Sequence, residues 1–272
     1  MTSPSVLLLI PAYNEEGRIG PVLRDYARFF QEQYQGKFQL IVVLNGCRDN
    51  TLGVVQGVAA EFPSIRWLEF KDPIGKGGAL IEGLNIATTA DLVGYVDADG
   101  ATPPPAFLDL IRHIDGFDCV IGSRWIPGAI LHQQQSGKRQ FASRVFHFIV
   151  QMLFWMNIRD TQCGAKVVRR EAVERIRPSL RIADMAFDIN LLYALKKARY
   201  RILELPTEWT DKIGSKVVLR NTSLSMLFSV IRIRLIYWPT VYKFLRPLRP
   251  LETWIYRKLR SQQPLPGPDS KV

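Results

Sequence analysis

Cysteine and histidine are both scarce in this sequence of 272 residues, with three of each. The cysteines Cys47, Cys119 and Cys163 form neither a CxxC pair nor a Cys/His pairing. An odd number of cysteines at such spacings argues against a disulfide framework and supplies no zinc-ligand pattern. We therefore expect a protein of a reducing compartment, and the cytoplasm is the predicted location.

Long uninterrupted apolar runs are also missing. The two most apolar segments, 145–158 and 224–241, are broken by His147 and Arg232, so neither is predicted to cross a bilayer. The short apolar run Val6–Ile10 has no basic residue before it, unlike a secretory signal peptide. We therefore expect no membrane-spanning segment and no cleaved signal.

Acidic residues are nearly absent from the last quarter of the chain. From Lys212 to Arg260 there are eleven Lys or Arg residues against one carboxylate, Glu252, which gives a local net charge of +10 within a total of +11. Such a segment favours an anionic partner. No nucleic-acid module is recognisable and the first half carries acidic clusters, so we expect no nucleic-acid binding.

Two helical segments combine apolar and aromatic residues with flanking basic ones, namely "RVFHFIVQMLFWM" and "LSMLFSVIRIRLIYWPTVYKFLRPL". Helices of this composition can lie in a membrane interface, and an anionic membrane surface is the predicted partner. The alternative, that both helices only cover the sheet, stays open at this stage.

Short β-rich runs alternate with helical patterns over the first 125 residues, which predicts an α/β fold with a mainly parallel sheet. The predicted strands are Val6–Ile10, Gln39–Leu44, Ile65–Phe70, Leu92–Val96 and Asp118–Gly122. The predicted helices are Gly20–Tyr34, Asn50–Glu61, Gly77–Thr88 and Pro103–Ile114.

The rest of the chain predicts an amphipathic stretch over 138–157, a helix near Asp184–Lys197, a strand at "RILELP" and a long basic helix ending near Leu245. We expect a catalytic domain over 1–220, basic amphipathic helices over 221–260 and a disordered tail over 261–272.

Polar clusters follow each predicted strand of the first half: "PAYNEE", "NGCRDN", "DPIGKGG", "DADG" and "GSR". In an open α/β sheet, ligands bind beyond the carboxyl ends of the strands. The cluster "GKGG" lacks the spacing of a nucleotide-binding P-loop. Five clusters at one edge of a sheet predict a single ligand site.

The stretch "DADG" admits two interpretations. Asp97 and Asp99 could form a turn, which aspartate favours, or hold a metal ion. Because the pair ends a buried strand, two desolvated carboxylates would be costly without a neutralising cation. Mg²⁺ typically binds one or two carboxylates together with phosphate oxygens, which predicts a metal and diphosphate site that Gly100 helps to turn.

Taken together, the motifs "IPAYNEE", "DNT", "GKGGAL", "VDADG", "GSR", "DTQCGAKVVRRE", "AFDINLLY" and "GSKV" resemble those of family 2 glycosyltransferases with the GT-A fold. The resemblance is strongest to the dolichyl-phosphate and polyprenyl-phosphate glucosyl- and mannosyltransferases, and it extends from about Val6 to Tyr237. It implies a nucleotide-sugar donor, UDP-glucose being favoured, a Mg²⁺ or Mn²⁺ ion, and inversion at the anomeric carbon.

The resemblance also assigns site residues. It places a first group along the nucleotide: Pro11, Ala12, Tyr13, Glu15, Asp49 and Lys76. It assigns Asp97 to the ribose or the metal, Asp99 to the metal and Arg124 to the sugar or a phosphate. Asn45 stands where the family usually has a carboxylate that contacts the base, and its amide oxygen could accept a hydrogen bond there.

The acceptor decides whether a base is needed. A lipid phosphate is already anionic and needs cations, for which Arg124, Arg139, Arg144 and Lys216 are candidates. A hydroxyl acceptor would need a general base, and Asp188 is the candidate, although it could instead favour a helix dipole. Asp160 and Gln162 are expected either to contact the acceptor or to shape its site.

These residues predict a metal-dependent hexosyltransferase at the cytoplasmic face of a membrane, acting on a polyprenyl or dolichyl phosphate. Transfer to a hydroxyl of a soluble or glycolipid acceptor is the alternative in the same class. A non-catalytic protein that binds nucleotide sugars or membranes is the alternative in another class.

Overall fold

The computed structural model describes residues 3–86, 89–132, 137–210 and 219–238. Its main feature is a seven-stranded sheet with the order β3-β2-β1-β4-β7-β5-β8. The strands of this sheet and of a small second one are β1 Val6–Ala12, β2 Phe38–Asn45, β3 Ile65–Phe70, β4 Leu92–Tyr95, β5 Cys119–Ser123, β6 Ile130–Leu131, β7 Lys166–Arg169, β8 Ile202–Pro206 and β9 Glu208–Trp209.

Helices cover both faces of the large sheet. They are α1 Ile19–Gln33, α2 Thr51–Glu61, α3 Lys76–Ile86, α4 Pro104–Arg112, α5 Gly137–Phe154, α6 Arg170–Ile176, α7 Phe187–Lys197 and α8 Leu219–Ile236. A short 3-10 turn, Arg177–Ser179, links α6 to the segment before α7. The predicted mixed α/β fold with a mostly parallel sheet is confirmed.

β7 is the antiparallel strand of the large sheet, and it lies between β4 and β5. The other neighbouring strands of this sheet run parallel. The sequence prediction missed β7, because four residues of "KVVR" are too short a run to show a period. The strand matters for the site because its first residue, Lys166, pairs with Tyr95 at the end of β4.

Two cores flank the sheet because successive strand side chains point to opposite faces. On one face Leu9 of β1 joins Leu84 of α3 and Phe187 of α7 in a continuous apolar cluster. On the other face Leu8 packs with Phe30 of α1, among residues that belong to the second cluster. Together the two cores fix the carboxyl ends of β1, β2 and β4 at one edge.

The helices α5 and α8 each bury one face in the first core, through Val150 and Phe154 of α5 and Val230 of α8. Their opposite faces expose apolar side chains, of which Phe148 is 64% exposed. Covering the sheet therefore accounts for one face of each helix, as far as its side chains are described. On the opposite face Phe148 and Met152 of α5, and Phe228 and Ile231 of α8, are exposed.

The predicted boundaries agree closely with most observed elements, and Ile65–Phe70 agrees at both ends. The helix predicted near Asp184–Lys197 begins three residues later, at Phe187. The long basic helix is seen as α8 up to Ile236, and the part predicted to reach Leu245 lies outside the described residues from 239 on. The predicted tail 261–272 lies outside them as well, so the three-part division of the chain stays a prediction.

In the part of the chain that is described, no helix has both the length and the apolar character needed to cross a membrane.

Candidate active site

The stretch that follows β4 forms a turn that presents two carboxylates. Gly100 has a φ of 71°, a conformation that favours glycine, and Asp99 Oδ1 accepts a hydrogen bond from the Ala101 amide at 3.0 Å. The turn interpretation and the ligand interpretation of "DADG" are therefore compatible. One oxygen of Asp99 fixes the turn and the other is left for a ligand.

Gly164 makes room for Asp97. A Cβ built on Gly164 would lie 2.1 Å from Asp97 Oδ2, a distance at which atoms cannot coexist. The carboxylate therefore occupies the space that any other residue at position 164 would fill. This contact explains why a glycine stands just before the Ala165–Lys166 entry to β7, on a segment far from Asp97 in sequence.

Lys76, the first residue of α3, bridges two carboxylates. Its Nζ lies 2.6 Å from Asp97 Oδ1 and 3.6 Å from Asp188 Oδ2. Burial alone would lower the pKa of Lys76, but Asp97 and Asp188 outweigh burial and raise it, so the ammonium stays charged. Lys76 and Asp97, both predicted site residues, are therefore brought into direct contact, and their role toward a diphosphate stays a prediction.

Asp188 lies in the first turn of α7 and is 2% exposed. Its Oδ1 accepts hydrogen bonds from Lys166 Nζ at 2.5 Å and from the Tyr95 hydroxyl. Burial alone would raise its pKa, but Lys166 and then Lys76 outweigh burial and lower it. A carboxylate this enclosed and this acidic is poorly suited to take a proton from an acceptor. Its role as general base stays a prediction. Its contacts instead favour a structural role, in which Asp188 neutralises the charges of Lys166 and Lys76.

Lys166 and Tyr95 are site residues that the sequence reasoning missed. Lys166 is 0% exposed, and its Nζ donates to Cys163 O as well as to Asp188. Burial and the charge of Asp188 raise the pKa of Tyr95 well above its usual value, so the phenol stays a donor. The one signal in the sequence was a lysine inside the apolar run "AKVV", which a buried strand tolerates only with a partner.

Arg124 forms a second, differently built pair. Its Nε lies 2.7 Å from Asp160 Oδ2 and its Nη2 lies 3.0 Å from Oδ1, a two-pronged contact that holds the guanidinium in one orientation. Glu204 in turn accepts from the Asp160 amide at 2.7 Å. The guanidinium also lies 5.0 Å from the ring centroid of Trp209.

The charge state of this pair is fixed. Burial would lower the pKa of Arg124, but Asp160 outweighs burial and raises it. Burial would raise the pKa of Asp160, but Arg124 lowers it. Asp160 is thus committed to Arg124, which favours the site-shaping role over acceptor contact. The Gln162 amide donates to Asp160 Oδ1 at 3.3 Å and belongs to the same turn.

The loop after β1 is organised by Glu15 and Asp49. The Glu15 amide donates to Thr51 Oγ1 at 2.7 Å, and the Asp49 carboxylate accepts from the Glu16 amide at 3.2 Å. Asn14 in this loop has a φ of 54°. Pro11 and Ala12 end β1 and Tyr13 follows them, so the predicted nucleotide residues lie at the sheet edge that carries Asp97.

Arg18 is a further residue that was missed. It forms a two-pronged salt bridge with Glu15, at 2.7 Å for both contacts. That bond raises the pKa of Arg18, and the charge of Asp99 adds to the effect, so Arg18 is a second cation, after Lys76, whose charge acts on the carboxylate pair. Its position three residues after Glu15 at a helix entry gave no sign of this from the sequence.

Asn45 is placed at the site, with its oxygen already occupied. Its Oδ1 accepts from the Ile74 amide at 2.7 Å and from the Gly75 amide at 3.0 Å, which secures the loop before α3. The expectation that this oxygen accepts from a base therefore has no support in the observed contacts. A contact of Asn45 with the donor, which stays a prediction, would fall to its NH₂ group.

The acceptor candidates are only partly placed. Arg144 is exposed on α5. The side chain of Arg139 and the whole of Lys216 lie outside the described residues. Arg124 is placed by its contacts with Asp160, and its pKa is raised first by Asp160 and to a lesser degree by the charge of Asp97.

Asp97 and Asp99 are chemically suited to bind a divalent cation. Burial raises the pKa of Asp99, and the charge of the neighbouring Asp97 raises it further. The cations Lys76 and Arg18 act in the opposite direction but do not offset these two effects. A hard cation with oxygen ligands would relieve this. No three His, Cys, Asp or Glu side chains of the described segments come together as a metal site, so a cation here would need further oxygens from a substrate.

The chain is similar to proteins of a known family. The model of Glycosyl transferase family 2 matches residues 7–177. The dolichyl-phosphate beta-glucosyltransferase of Dictyostelium discoideum is 34% identical over 251 residues, covering 87% of this chain and 76% of that protein. The human dolichyl-phosphate beta-glucosyltransferase is 32% identical, covering 85% and 75%.

Among solved structures, the glucosyl-3-phosphoglycerate synthase of Mycobacterium tuberculosis in complex with Mn²⁺, UDP and glucosyl-3-phosphoglycerate superposes with a TM-score of 0.62. The two chains are 18% identical, with 85% of this chain and 80% of the other covered, so the likeness concerns the fold. Since the family model spans most of the sheet, including both carboxylates, the chain belongs to the family 2 glycosyltransferases and is a glycosyltransferase of GT-A fold.

Proposed function

We propose that this glycosyltransferase moves glucose from UDP-glucose to a polyprenyl phosphate such as dolichyl phosphate, with Mg²⁺ or Mn²⁺ as cofactor. The observation that carries the choice of acceptor is the state of Asp188. The residue best placed by sequence to act as a base is enclosed by Lys166, Tyr95 and Lys76. A phosphate acceptor needs no base, whereas a hydroxyl acceptor does.

The relatives support the same acceptor, since proteins about one third identical are dolichyl-phosphate beta-glucosyltransferases. The donor is supported by the solved structure of similar fold that binds UDP and Mn²⁺. Asp97 and Asp99 would hold the cation, which would supply positive charge to the departing diphosphate. Lys76 and Arg18 would add charge on the protein's side of that diphosphate.

The reaction is then one displacement. An oxygen of the lipid phosphate forms a bond to the anomeric carbon as the bond from that carbon to the UDP oxygen breaks, and the configuration is inverted. The electron pair leaves with UDP, and no proton has to move. Arg124, held in one orientation by Asp160, would attract and orient the anionic acceptor opposite the diphosphate.

A lipid acceptor requires contact with a membrane, and α5 offers a surface for it. Arg144, Phe148 and Met152 are spaced by four residues, so they share one face of the helix. Phe148 is 64% and Met152 60% exposed, and Trp155 just beyond the helix end is 81% exposed. We propose that this face, called here the α5 ridge, lies in the interface of an anionic membrane.

The acceptor test uses two lipids of equal chain length, a polyprenyl phosphate and the corresponding polyprenol. Purified protein is incubated with Mg²⁺ and, separately, UDP-glucose, UDP-N-acetylglucosamine or GDP-mannose, and lipid products are read by mass spectrometry. We expect hexose on the phosphate with UDP-glucose, and loss of product with EDTA or Asp99→Ala. Product on the polyprenol alone would contradict the acceptor, and nucleotide binding without any product would favour the non-catalytic alternative.

The membrane test compares sedimentation with anionic and zwitterionic vesicles at low salt. The variant Phe148→Ser/Met152→Ser should bind anionic vesicles more weakly than the parent protein. Trp67→Ser is the matched control, because Trp67 is also an exposed apolar residue, 40% exposed on the edge strand β3, and is not part of α5. Equal binding by parent, ridge variant and control would contradict the proposed surface.

A further inference from the structure

Lys76 is shared between two carboxylates, and the sharing is unequal. Its Nζ lies 2.6 Å from Asp97 and 3.6 Å from Asp188. Asp97 is at the edge where a diphosphate would bind, whereas Asp188 is in the interior. The place that Lys76 takes between them therefore decides whether its charge serves the ligand site or the core.

Asp188 would attract Lys76 strongly if it had no other cation. A buried carboxylate without a counter-charge is costly, and a lysine side chain is flexible enough to move the 3.6 Å contact into a direct ion pair. Lys166 already supplies such a cation, because its ammonium lies 2.5 Å from Asp188 Oδ1 and is itself completely buried. Tyr95 adds a hydrogen bond to the same oxygen.

We propose that Lys166 is a positioning residue that, by neutralising Asp188, keeps Lys76 at Asp97, where Lys76 contributes to binding the diphosphate of the donor. This inference rests on the proposed function for the identity of the donor. Lys166 touches no ligand in this arrangement and acts through Asp188 and Lys76. Its contacts to Cys163 O and Asp188 leave it directed into the interior.

A competing explanation is that Lys166 contributes its charge to the ligand site directly. The two explanations differ in what happens when Lys166 and Asp188 lose their charges together. If Lys166 acts through Asp188, losing both charges leaves Asp97 as the carboxylate that pairs with Lys76, and the affinity for the donor is kept. If Lys166 acts directly, losing both charges weakens donor binding as much as losing the charge of Lys166 alone.

The experiment measures UDP and UDP-glucose affinity by calorimetry, and donor KM and kcat, for four proteins: the parent, Lys166→Met, Asp188→Asn and the double variant. Lys166→Met should weaken donor binding by about tenfold or more, with a smaller change in kcat. The double variant should bind within about threefold of the parent, a rescue that a merely structural defect would not give. Parental affinity in Lys166→Met would overturn the proposal.

If Lys166→Met does not fold, the double variant alone decides. It removes both buried charges and keeps similar volumes, so it is expected to fold. Donor affinity near that of the parent supports the proposal, and a tenfold or larger loss supports direct action by Lys166 and overturns it.

Crystal structures of the parent and Lys166→Met separate this inference from the proposed donor. If the parent binds no UDP, the proposed donor is wrong, but the position of Lys76 can still be read. We expect Lys76 Nζ to be nearer Asp188 than Asp97 in Lys166→Met. If it is unchanged beside Asp97 in that variant, the positioning role of Lys166 is refuted. The double variant should return it to Asp97.

Discussion

Two partly buried pairs of a cation and a carboxylate flank the candidate site, and they are built in opposite ways. Arg124 holds Asp160 by two contacts of 2.7 and 3.0 Å, and backbone amides complete the pair. Lys76 contacts Asp97 at 2.6 Å and has a second carboxylate within reach. The first pair holds the Arg124 guanidinium in one orientation. In the second pair the Lys76 ammonium has two carboxylates near it, so it is not restricted to one contact.

The difference suits the two proposed ligands. A polyprenyl phosphate has to be aimed at the anomeric carbon, for which a guanidinium held in one orientation is suited. A diphosphate gains negative charge as the donor bond breaks, for which an ammonium already held beside Asp97 is suited, because it stabilises that charge as it develops. Variants of the Arg124–Asp160 pair, called here the fixed pair, and of the Lys76–Asp97 pair, called here the movable pair because Lys76 has a second carboxylate within reach, test this contrast.

The largest expected effect is on the fixed pair. Asp160→Ala removes a carboxylate that is 3% exposed and leaves Arg124, 18% exposed, without its partner, so the free energy of unfolding should fall by about 3–5 kcal/mol. Chemical denaturation followed by circular dichroism measures this. Asp115→Ala is the control, because Asp115 is 96% exposed and lies 3.7 Å from Arg169, a surface pair whose loss should cost less than about 1 kcal/mol. Equal losses in both variants would remove the distinction.

The next effect concerns the movable pair and should appear in activity. Lys76→Met removes a charge from the diphosphate site while Asp188 keeps Lys166, so kcat/KM should fall about a hundredfold, or about 2.7 kcal/mol, with little loss of stability. Steady-state assays and thermal unfolding measure the two. Lys71→Met, at an exposed lysine on the loop before α3, is the control. A large loss of stability with activity kept would reverse the assignment of the two pairs.

The sequence predicted the carboxylate edge of the site better than its interior. Asp97 and Asp99 could be predicted because a polar pair at the end of an apolar strand is visible locally. Asp160 was found as part of a motif, but its pairing with Arg124 depends on the approach of two segments 36 residues apart. Lys166 was missed because a hydropathy pattern predicts that a lysine lies on the protein surface. The Asp188 carboxylate that neutralises its buried charge comes close to it only in the folded chain.

The fold shows the same limit. Strands with parallel neighbours were predicted from their alternation with helices, whereas β7 enters the sheet between β4 and β5 in the opposite direction. Nothing within "KVVR" encodes its neighbours. Because β7 carries Lys166 and follows Gly164, missing this strand also meant missing the interior half of the site.

A smaller effect is expected from the space beside Asp97. Gly164→Ala places a methyl group where Asp97 Oδ2 lies, so the carboxylate must shift and kcat/KM should fall about tenfold. Gly57→Ala is the matched control, because a Cβ on Gly57 meets nothing within 4 Å and the residue lies in α2. Alanine there should leave activity unchanged and stabilise the helix slightly. Unchanged activity in Gly164→Ala would show that Asp97 tolerates displacement.

The smallest effect is a dependence on acid that belongs to the fixed pair. Arg124 holds the pKa of Asp160 below its ordinary value, so the carboxylate stabilises the fold above about pH 4 and that stability is lost as the pH falls through the lower, folded value. Asp160→Asn lacks this contribution. The difference in free energy of unfolding between parent and variant should therefore be constant near neutral pH and shrink below about pH 4. Denaturation at a series of pH values measures it, with the exposed Asp115→Asn as control. A difference that stays constant down to the most acidic condition would mean that Asp160 gains no stabilisation from Arg124, and the fixed pair would then be a matter of geometry alone.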